Sequence, residues 1–378
     1  MGQPIDKITL KGFKSIRSLE DFPLRNLNIL IGANGAGKSN FVDFFRLLRA
    51  MANGRLQTFV LEQGGGDGFF FMGPKYTQRM AARLEFGENA YEFTLAPTAS
   101  AELMFDEQHI HYAGGSKAGG ATYSAPKGTR EPALKGPQDR ETELGRFQAK
   151  LFDTLGLSIH GAVSSWVVYH FHDTSMLAPM RRPGSVRDNE YLRPDAANLG
   201  AYLLMLRERH QRIYERIRDT TRLAAPFFDD FKFRPRSSNG DETLQLEWTQ
   251  RGSDYPFLVT QLSDGTLRFI ALTTALLQPE PPATILLDEP ELGLHPYALN
   301  LLAALLKKAA TQTQVIVSTQ SAPLLDNFEA EDVIVVERED GASAFKRLCS
   351  ADLEEWLKNY SLGELWEKNI IGGRPADG

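Results

Sequence analysis

The sequence predicts an α/β protein in which a sheet is flanked by helices, with an antiparallel β subdomain and a helical insertion. Three observations lead to this prediction. Helical and strand-like segments alternate through the last third of the chain, from 261 to about 336. A short apolar run at 27–31 precedes a glycine-rich turn and a helical pattern, as expected for a buried parallel strand. Between about 67 and 112, apolar and polar residues alternate, which favours antiparallel strands.

The composition limits the class of protein. The chain has 378 residues, which suggests two or three structural units of roughly 150 residues each. Its single cysteine, Cys349, excludes a disulfide framework within the chain and fits a reducing compartment. The first residues have no apolar signal-peptide core and no apolar run is long enough for a bilayer, so we expect a soluble cytoplasmic protein without a membrane partner. The net charge of −6 argues against a uniformly basic nucleic-acid binder but permits a local basic face.

The first half of the chain is expected to form two units. In the first, 1–66, two strands around a turn occupy 5–31, and a helix follows the glycine-rich turn. The second, 67–165, is expected to be an antiparallel β insertion. Its stretch 113–140 is rich in Gly, Ala, Lys and Pro, which predicts a mobile surface loop.

The second half is expected to form two further units. A helical, arginine-rich lobe is predicted for 166–260. It is expected to begin with a buried strand at 166–171, to contain one long helix at 198–222 and to include short strands at 231–234 and 243–248. The last unit, 261–378, alternates helix and strand and should complete the sheet begun in the first unit.

The segment 32–39, Gly-Ala-Asn-Gly-Ala-Gly-Lys-Ser, matches the phosphate-loop pattern G-x-x-x-x-G-K-[ST] in full. Glycines let backbone N–H groups turn toward phosphate oxygens, and the following helix N-terminus favours negative charge. Lys38 would reach the β- and γ-phosphates, and Ser39 would ligate Mg²⁺. The alternative is a glycine-rich turn that matches the pattern by chance. The strand before the segment and the helix after it favour the phosphate loop. The residues predicted to bind ATP here are Asn34, Gly35, Gly37, Lys38, Ser39 and Asn40.

A second motif follows at 284–291, where an apolar strand runs into Asp-Glu-Pro-Glu. Apolar strands ending in acids occur at many sheet edges, so a solvated strand end is the alternative. Together with the phosphate loop, the segment is predicted to be a Walker B strand that places Asp288 near Mg²⁺. Glu289 could then polarise the attacking water as general base.

The order of the motifs resembles that of the ABC-type ATPases, specifically the soluble branch that contains SMC, RecF and OLD-family proteins. Lys38 and Asp288 are far apart in the sequence, whereas Ser263 precedes Asp288 by only one helix and one turn. The segments that carry the resemblance are the opening 11–16, the GKSN ending at Asn40, the signature-like 262–266, the stretch 291–296 and the switch-like strand 315–321. The resemblance is firm over about 1–50 and 260–337 and covers the middle only in outline.

The resemblance implies an ABC-ATPase head fold and Mg²⁺-dependent hydrolysis of ATP to ADP and phosphate. It also implies a homodimer or higher oligomer that forms head to tail with ATP. Ser263, Asp264 and Gly265 would then contact the nucleotide held by the phosphate loop of the other chain, and Lys14 would contact nucleotide within its own chain. Ser and Asp are also good helix N-cap residues, so the local sequence of this segment does not separate a cap from a ligand site.

The sequence departs from this family pattern at two places. The switch position, usually His, is Gln320, which can hydrogen-bond a γ-phosphate or orient water but does not titrate near neutral pH. No glutamine ends the strand at 166–171, so His170, His172 or Asp173 would replace the Q-loop residue, with His172 our choice. Local packing of these histidines is an equally good interpretation.

The sequence does not decide between DNA and a protein as the partner. Six arginines at 198–222, together with Arg181, Arg182, Arg187, Arg234 and Arg236, could contact a nucleic-acid backbone. Acidic residues are interleaved with the helical arginines, which makes a solvated helix with local ion pairs the more common explanation. Too few residues follow the last strand for a Toprim nuclease domain of the OLD type. We therefore expect an ATP-driven switch that acts on DNA or on a DNA-processing partner in genome maintenance or antiphage defence. The alternative is a nucleotide-dependent sensor or scaffold that sequesters a protein effector.

Overall fold

The computed structural model describes residues 3–112, 121–124, 127–130, 132, 159–238 and 241–374. Its strands are β1 (Lys7–Phe13), β2 (Ile16–Pro23), β3 (Leu27–Ile31), β4 (Met80–Phe86), β5 (Asn89–Pro97), β6 (Leu103–Tyr112), β7 (Ala121–Ser124), β8 (Val167–Tyr169), β9 (Gly184–Ser185), β10 (Phe228–Lys232), β11 (Arg236–Ser238), β12 (Asp241–Leu244), β13 (Glu247–Gln250), β14 (Pro256–Leu258), β15 (Thr284–Asp288), β16 (Gln314–Ser318), β17 (Val333–Glu339) and β18 (Ala342–Arg347).

The helices are α1 (Lys38–Ala52), α2 (Leu56–Glu62), α3 (described over 159–165), α4 (Leu199–Arg209), α5 (Gln211–Ala224), α6 (Asp264–Leu277), α7 (Pro296–Ala309), α8 (Ala322–Leu325), α9 (Ser350–Leu357) and α10 (Leu362–Glu367). Across the described ranges, no helix combines the length and apolar character that a membrane crossing needs.

Two six-stranded sheets form the framework. The antiparallel sheet has the order β2-β1-β4-β5-β6-β7, and the second sheet has the order β18-β17-β3-β16-β15-β8. In the second sheet, β17, β3, β16, β15 and β8 are parallel and only the edge strand β18 is antiparallel. The predicted α/β fold with an antiparallel β subdomain is therefore confirmed. The carboxyl ends of the parallel strands meet at one edge, where open α/β sheets bind their ligands.

The parallel sheet separates two hydrophobic cores. Along β3, Leu30 packs with Phe41 and Phe45 of α1 in the core shared with the antiparallel sheet. Ile29 and Ile31 point to the other face and pack in the core with α4, α6 and α7. This alternation is the period of a strand buried on both faces. Because α1 is fixed between the two sheets, its N-terminus is held at the end of β3.

The expected units of the first half differ from the structure. The range 5–31 contains three strands and not two, and β1 pairs with both β2 and β4. Strands from both sides of the boundary expected near 66 therefore belong to one sheet, because β1 pairs with β4. Within the predicted loop 113–140, residues 121–124 form β7 on the edge of β6, and most of that stretch lies outside the described residues.

The long helix expected at 198–222 is two helices, α4 and α5, because the backbone of His210 is not helical (φ −135°, ψ 51°). The interior of α4 is buried, including Leu203 and Leu206, whereas α5 has one buried stripe with Tyr214 and Ile217. The range 166–260 is also not mainly helical, since it contains β8 of the parallel sheet and two small antiparallel sheets made by β9–β14.

Candidate functional site

Glycines shape the loop at 32–39 between β3 and α1. Gly35 and Gly37 have φ angles of 79° and 116°, in the left-handed region that favours glycine. A β-carbon at Gly37 would lie 2.0 Å from Oγ of Ser343 and 2.7 Å from Oγ of Ser15. The backbone conformation and the close packing both require glycine at position 37.

Lys38 begins α1 with only 5% of its surface exposed. Its Nζ donates to the carbonyl oxygens of Gly32 at 2.6 Å and Ala33 at 3.1 Å. Burial lowers the pKa of Lys38, and three nearby carboxylates act in the opposite direction. These carboxylates belong to Glu289, Asp288 and Glu291. The ammonium group is therefore folded into the loop and surrounded by acids that come from the last third of the chain.

A small cavity of about 130 Å³ lies at the loop. Its lining combines the residues predicted to bind ATP with two residues predicted to be catalytic. The lining consists of Ala33, Asn34, Gly35, Gly37, Lys38, Ser39, Asn40, Glu289 and Gln320. The structure thus places the glycine-rich loop, the end of β15 and the residues after β16 around one cavity.

Asp288 ends β15 and is paired in register with Ser318, which ends β16. The Ser318 hydroxyl donates to Oδ1 of Asp288. This bond orients the carboxylate beside the phosphate loop, close enough to influence the pKa of Lys38. An oriented carboxylate is an oxygen ligand of the kind that Mg²⁺ prefers.

Glu289 has a φ angle of 43°, which is uncommon for a residue other than glycine. Its backbone N–H donates to the carbonyl oxygen of Ser318 at 2.8 Å, and this bond holds the unusual conformation. Oε1 of Glu289 accepts a hydrogen bond from Nε2 of Gln320. The two residues predicted to be catalytic are thus in direct contact at the cavity.

Glu291 is a site residue that the sequence reasoning missed. Its Oε1 accepts from the Thr319 hydroxyl at 2.6 Å and from the Gln320 backbone N–H at 2.9 Å. Its Oε2 is buried without a hydrogen bond in the part of the chain that the structure describes. Burial raises the pKa of this carboxyl group. Glu291 fixes the backbone that carries Gln320, and the third acid of Asp-Glu-Pro-Glu was the signal for it.

Ser263 is the N-cap of α6 and is exposed. Its Oγ accepts from the backbone N–H of Thr266 at 3.2 Å and is 2.8 Å from the Thr266 hydroxyl. The capping role is therefore present. None of Ser263, Asp264 and Gly265 lines the cavity at the phosphate loop of the same chain.

Arg181 organises the segment before α6, and the suggestion that it contacts a nucleic-acid backbone is wrong because the side chain is buried. It donates to the carbonyl oxygens of Thr174, Val259 and Leu262 at 2.9, 2.8 and 3.2 Å. It also forms an ion pair of 2.7 Å with Asp264. The carboxylate of Asp264 is thus held from inside the fold, which the sequence spacing did not indicate.

Arg268 on α6 connects three segments of the site and was also missed. It is 7% exposed, and its guanidinium donates to the carbonyl oxygens of Phe171 at 2.8 Å and His172 at 2.9 Å. It also donates to the carbonyl oxygen of Leu292, in the segment after the Walker B acids. One buried cation therefore joins α6, the residues that follow β8 and the stretch 291–296.

Lys14 does not line the cavity at the phosphate loop. Its Nζ forms an ion pair of 2.6 Å with Asp43 on α1. The neighbouring Ser15 accepts a hydrogen bond of 2.7 Å from the side chain of Asn40. The turn between β1 and β2 is thus attached to the start of α1, and the predicted contact of Lys14 with nucleotide would require release from Asp43.

The candidate Q-loop residues occupy different surroundings. His172 lines a very small cavity with Asp288 and Glu289. His170 contacts the guanidinium of Arg46. Burial, Arg46 and His172 lower the pKa of His170 to about 4. His172 is the candidate beside the Walker B acids, whereas His170 is a neutral partner of an arginine.

Half of the predicted cationic face on α5 is paired within the fold. Arg218 lies 3.0 Å from Asp219, and Arg222 lies 3.1 Å from Asp219 and 2.7 Å from Asp229. These are the local ion pairs that interleaved charges predict. Arg212 and Arg216 on the same helix are exposed.

Comparisons with known proteins agree with this geometry. The family model described as "AAA domain, putative AbiEii toxin, Type IV TA system" matches residues 27–92 and 145–327, more than half of the chain. The crystal structure of an Smc head bound to the C-winged helix domain of ScpA is similar, with a TM-score of 0.55, 17% identity, and 94% of this chain and 99% of that chain covered.

A second Smc head, with an extended coiled coil and bound to the C-terminal domain of ScpA from Pyrococcus furiosus, has a TM-score of 0.52 and 16% identity. This match covers 94% of the present chain and 98% of the other. At these identities the likeness shows the fold, which is that of an SMC-type ATPase head. No curated protein matches the sequence.

Proposed function

The chain belongs to this AAA domain family and has the fold of an SMC ATPase head, and from these premises we propose that it is an ATP-hydrolysing switch that dimerises head to tail. One observation carries the proposal. The phosphate loop, Asp288, Glu289 and Gln320 meet at the carboxyl edge of the parallel sheet, although Lys38 and Asp288 are far apart in the sequence.

The residues present fit MgATP. Gly35 lines the cavity, and no atom of the described residues apart from its chain neighbours lies within 4 Å of the place that a β-carbon on it would take, so the loop backbone is open to phosphates there. The buried ammonium of Lys38 bonds only to loop carbonyls within the described residues, so phosphate oxygens could replace these acceptors. Ser39 and Asp288 would hold Mg²⁺, because a hydroxyl and a carboxylate are the usual protein ligands at such a site. When bound, Mg²⁺ neutralises charge on the phosphate oxygens.

Glu289 is the proposed general base for hydrolysis. Its carboxylate is at the cavity, and the hydrogen bond that it accepts from Gln320 keeps it in place. Gln320 would hydrogen-bond the attacking water or the γ-phosphate through the same side-chain amide. Glu291 holds the Gln320 backbone, which keeps the amide at the cavity.

The exposed signature segment supports the dimer. Ser263, with the N-terminus of α6 behind it, is a suitable ligand for a γ-phosphate, yet it does not line the phosphate cavity of its own chain. A second chain placed head to tail would bring each signature to the nucleotide of the other. ATP would then stabilise the dimer, and hydrolysis would release it, because ADP lacks the γ-phosphate contacts.

We further propose DNA or a DNA-processing protein as the partner, in genome maintenance or antiphage defence. The family description names a Type IV TA system, which favours the defence setting. The similar Smc heads are bound to ScpA, which favours a protein partner and agrees with the alternative of an effector-sequestering scaffold.

The test is the mass of Glu289→Gln in solution with ATP, with ADP and without nucleotide. We expect a dimer only with ATP, because the amide cannot act as a base and the substrate persists. Unchanged turnover would remove Glu289 from its proposed role. A monomer in all three conditions would contradict the proposed dimer but would not contradict the proposal that the chain binds ATP.

The DNA partner is tested separately by titrating duplex DNA into ATP-loaded Glu289→Gln at several salt concentrations. Phosphate contacts predict that affinity falls as salt rises. Undetectable binding, or affinity that does not change with salt, would favour the effector-sequestering scaffold.

A further inference from the structure

A groove with a volume of about 750 Å³ lies along the side of α1, away from the cavity at the phosphate loop. Its walls are α1, α2, the end of β8 and the loop 191–195. The two openings share no lining residue. A volume of this size is that of a pocket for a small organic ligand and is far larger than a single inorganic ion needs.

Cations dominate the lining. It contains four arginines, which are Arg46, Arg49, Arg55 and Arg193. The acids are Glu62, 3.9 Å from Arg55, and Asp195, which accepts a hydrogen bond from the backbone N–H of Ala197. The lining side chains therefore include more cations than acids, and of these cations Arg193 is paired with Asp188 at 2.7 Å behind the groove wall.

Arg49 is the feature that most needs a ligand. Its guanidinium is half-buried and has neither a hydrogen bond nor an ion pair with any residue that the structure describes. Burial lowers the pKa of Arg49, so its environment does not compensate for the lost water. On the same face of α1, Nε of Arg46 is buried without a partner among the described residues. Guanidinium groups of this kind match phosphate oxygens well.

The opposite wall is built to hold its shape. Buried Asn198 donates to the carbonyl oxygens of Asp188 and Tyr191 at 3.0 and 2.7 Å, and its Oδ1 accepts from the backbone N–H of Arg193 at 2.9 Å. The backbone N–H of His170 donates to Pro194 at 2.8 Å and attaches the loop to β8. Tyr191 is 59% exposed in this fixed loop, so its ring is available for stacking.

We infer that this groove is a second anion site that binds a phosphate-bearing ligand with an aromatic base, either a free nucleotide or a nucleotide unit of a single strand. Arginine supplies phosphate contacts, and exposed aromatic rings stack on bases without selecting among them. The inference goes beyond ATP hydrolysis, because it requires neither the phosphate loop nor a dimer.

The groove is connected through α1 to the turn between β1 and β2. Arg46 donates to Oδ1 of Asp43 at 2.5 Å, and Oδ2 of the same carboxylate accepts from Lys14 at 2.6 Å. A phosphate that draws Arg46 away from Asp43 would strengthen the hold of Asp43 on Lys14. Occupation of the groove would thus be felt at the turn between β1 and β2.

The experiment uses the full chain and two probes, thymidine monophosphate and a fluorescent oligothymidylate. Binding is followed by calorimetry and by fluorescence anisotropy at several salt concentrations. We expect the wild type to bind at least one of the two probes. Lys38→Ala should bind that probe with the same affinity as the wild type. Arg49→Gln and Arg55→Glu should each weaken that binding by at least about tenfold. Arg55 is exposed, so Arg55→Glu remains informative if Arg49→Gln folds poorly.

The control is Arg251→Glu, which changes the charge at an exposed turn outside the groove. Binding of the monophosphate would identify a free nucleotide as the ligand, whereas binding of the oligonucleotide alone would identify a strand. Equal binding by the groove variants and Arg251→Glu would overturn the proposal, as would failure of the wild type to bind either probe. Loss of binding in Lys38→Ala alone would assign it to the phosphate loop, a result that overturns the groove and leaves the ATP site in place.

Discussion

Gly265 lies so close to the carbonyl oxygen of Gly293 that a β-carbon added to Gly265 would be 2.2 Å from that oxygen. The first turn of α6 and the segment that follows the Walker B acids are therefore in backbone contact within one chain. Interiors packed this closely transmit displacements instead of absorbing them. A nucleotide that moves the segment after Glu289 would also move the signature, which in the proposed dimer faces the other chain.

Gly265→Ala should therefore destabilise the fold by about 1–3 kcal/mol, because the added methyl group forces the two segments apart. ATP turnover should fall more than ATP affinity, since the phosphate loop is not touched. Denaturant unfolding and steady-state turnover measure the two effects. The matched control is Gly161→Ala, in a helix and with open space around the β-carbon, which should be neutral or stabilising by about 0.5–1 kcal/mol. Equal effects of both substitutions would mean that the contact with Gly293 is unimportant.

Lys38→Ala should reduce ATP affinity by about a hundredfold or more, because the charged bond to the β- and γ-phosphates is lost. The fold should persist, since the buried ammonium bonds only to loop carbonyls among the residues described. Calorimetric titration with ATP measures the affinity, and thermal unfolding checks the fold. Affinity close to that of the wild type would show that the phosphate loop is not the nucleotide site.

Ser263→Arg should leave ATP binding by the monomer intact while preventing dimerisation and hydrolysis. The exposed N-terminus of α6 would carry a bulky side chain where the proposed partner's nucleotide docks. Mass in solution with ATP, nucleotide affinity and turnover are the three measurements. Ser237→Arg, at an exposed position on β11, is the control for the added charge and size. A parallel loss of ATP affinity in the monomer would place Ser263 at the nucleotide of its own chain.

Arg268→Met should lower the free energy of unfolding by about 2–4 kcal/mol, because buried carbonyl oxygens lose their charged donor. The long methionine side chain preserves most of the packing of the arginine stem. Urea unfolding measures the loss. Arg251→Met, at an exposed turn, should stay within about 0.5 kcal/mol of the wild type. A stability equal to that control would show that the bonds to residues 171, 172 and 292 contribute little.

The local chemistry of the site could be predicted from the sequence because it depends on short, contiguous patterns. The glycines and Lys38 of the phosphate loop, the acids at the end of an apolar strand, and the cap at Ser263 are each defined by spacing within one segment. Apolar runs in the sequence, such as 27–31 and 284–287, also indicate the parallel strands of a buried sheet. The predicted α/β class and its family resemblance rest on these features.

Only the tertiary structure decided which distant groups meet. The bonds of buried Arg181 to Val259, the bonds of Arg268 to two other segments and the ion pair of Lys14 with Asp43 all join residues that are separated in the chain. A pattern in the sequence gives the type of a charged residue but not whether the fold surrounds it with carbonyls, a carboxylate or water. The arginines are an example. Arg181 and Arg268 are buried and bond to backbone carbonyl oxygens, whereas Arg49 lines a groove. The physical reason is that burial and pairing are properties of the packed chain, set by contacts between elements that no local segment specifies.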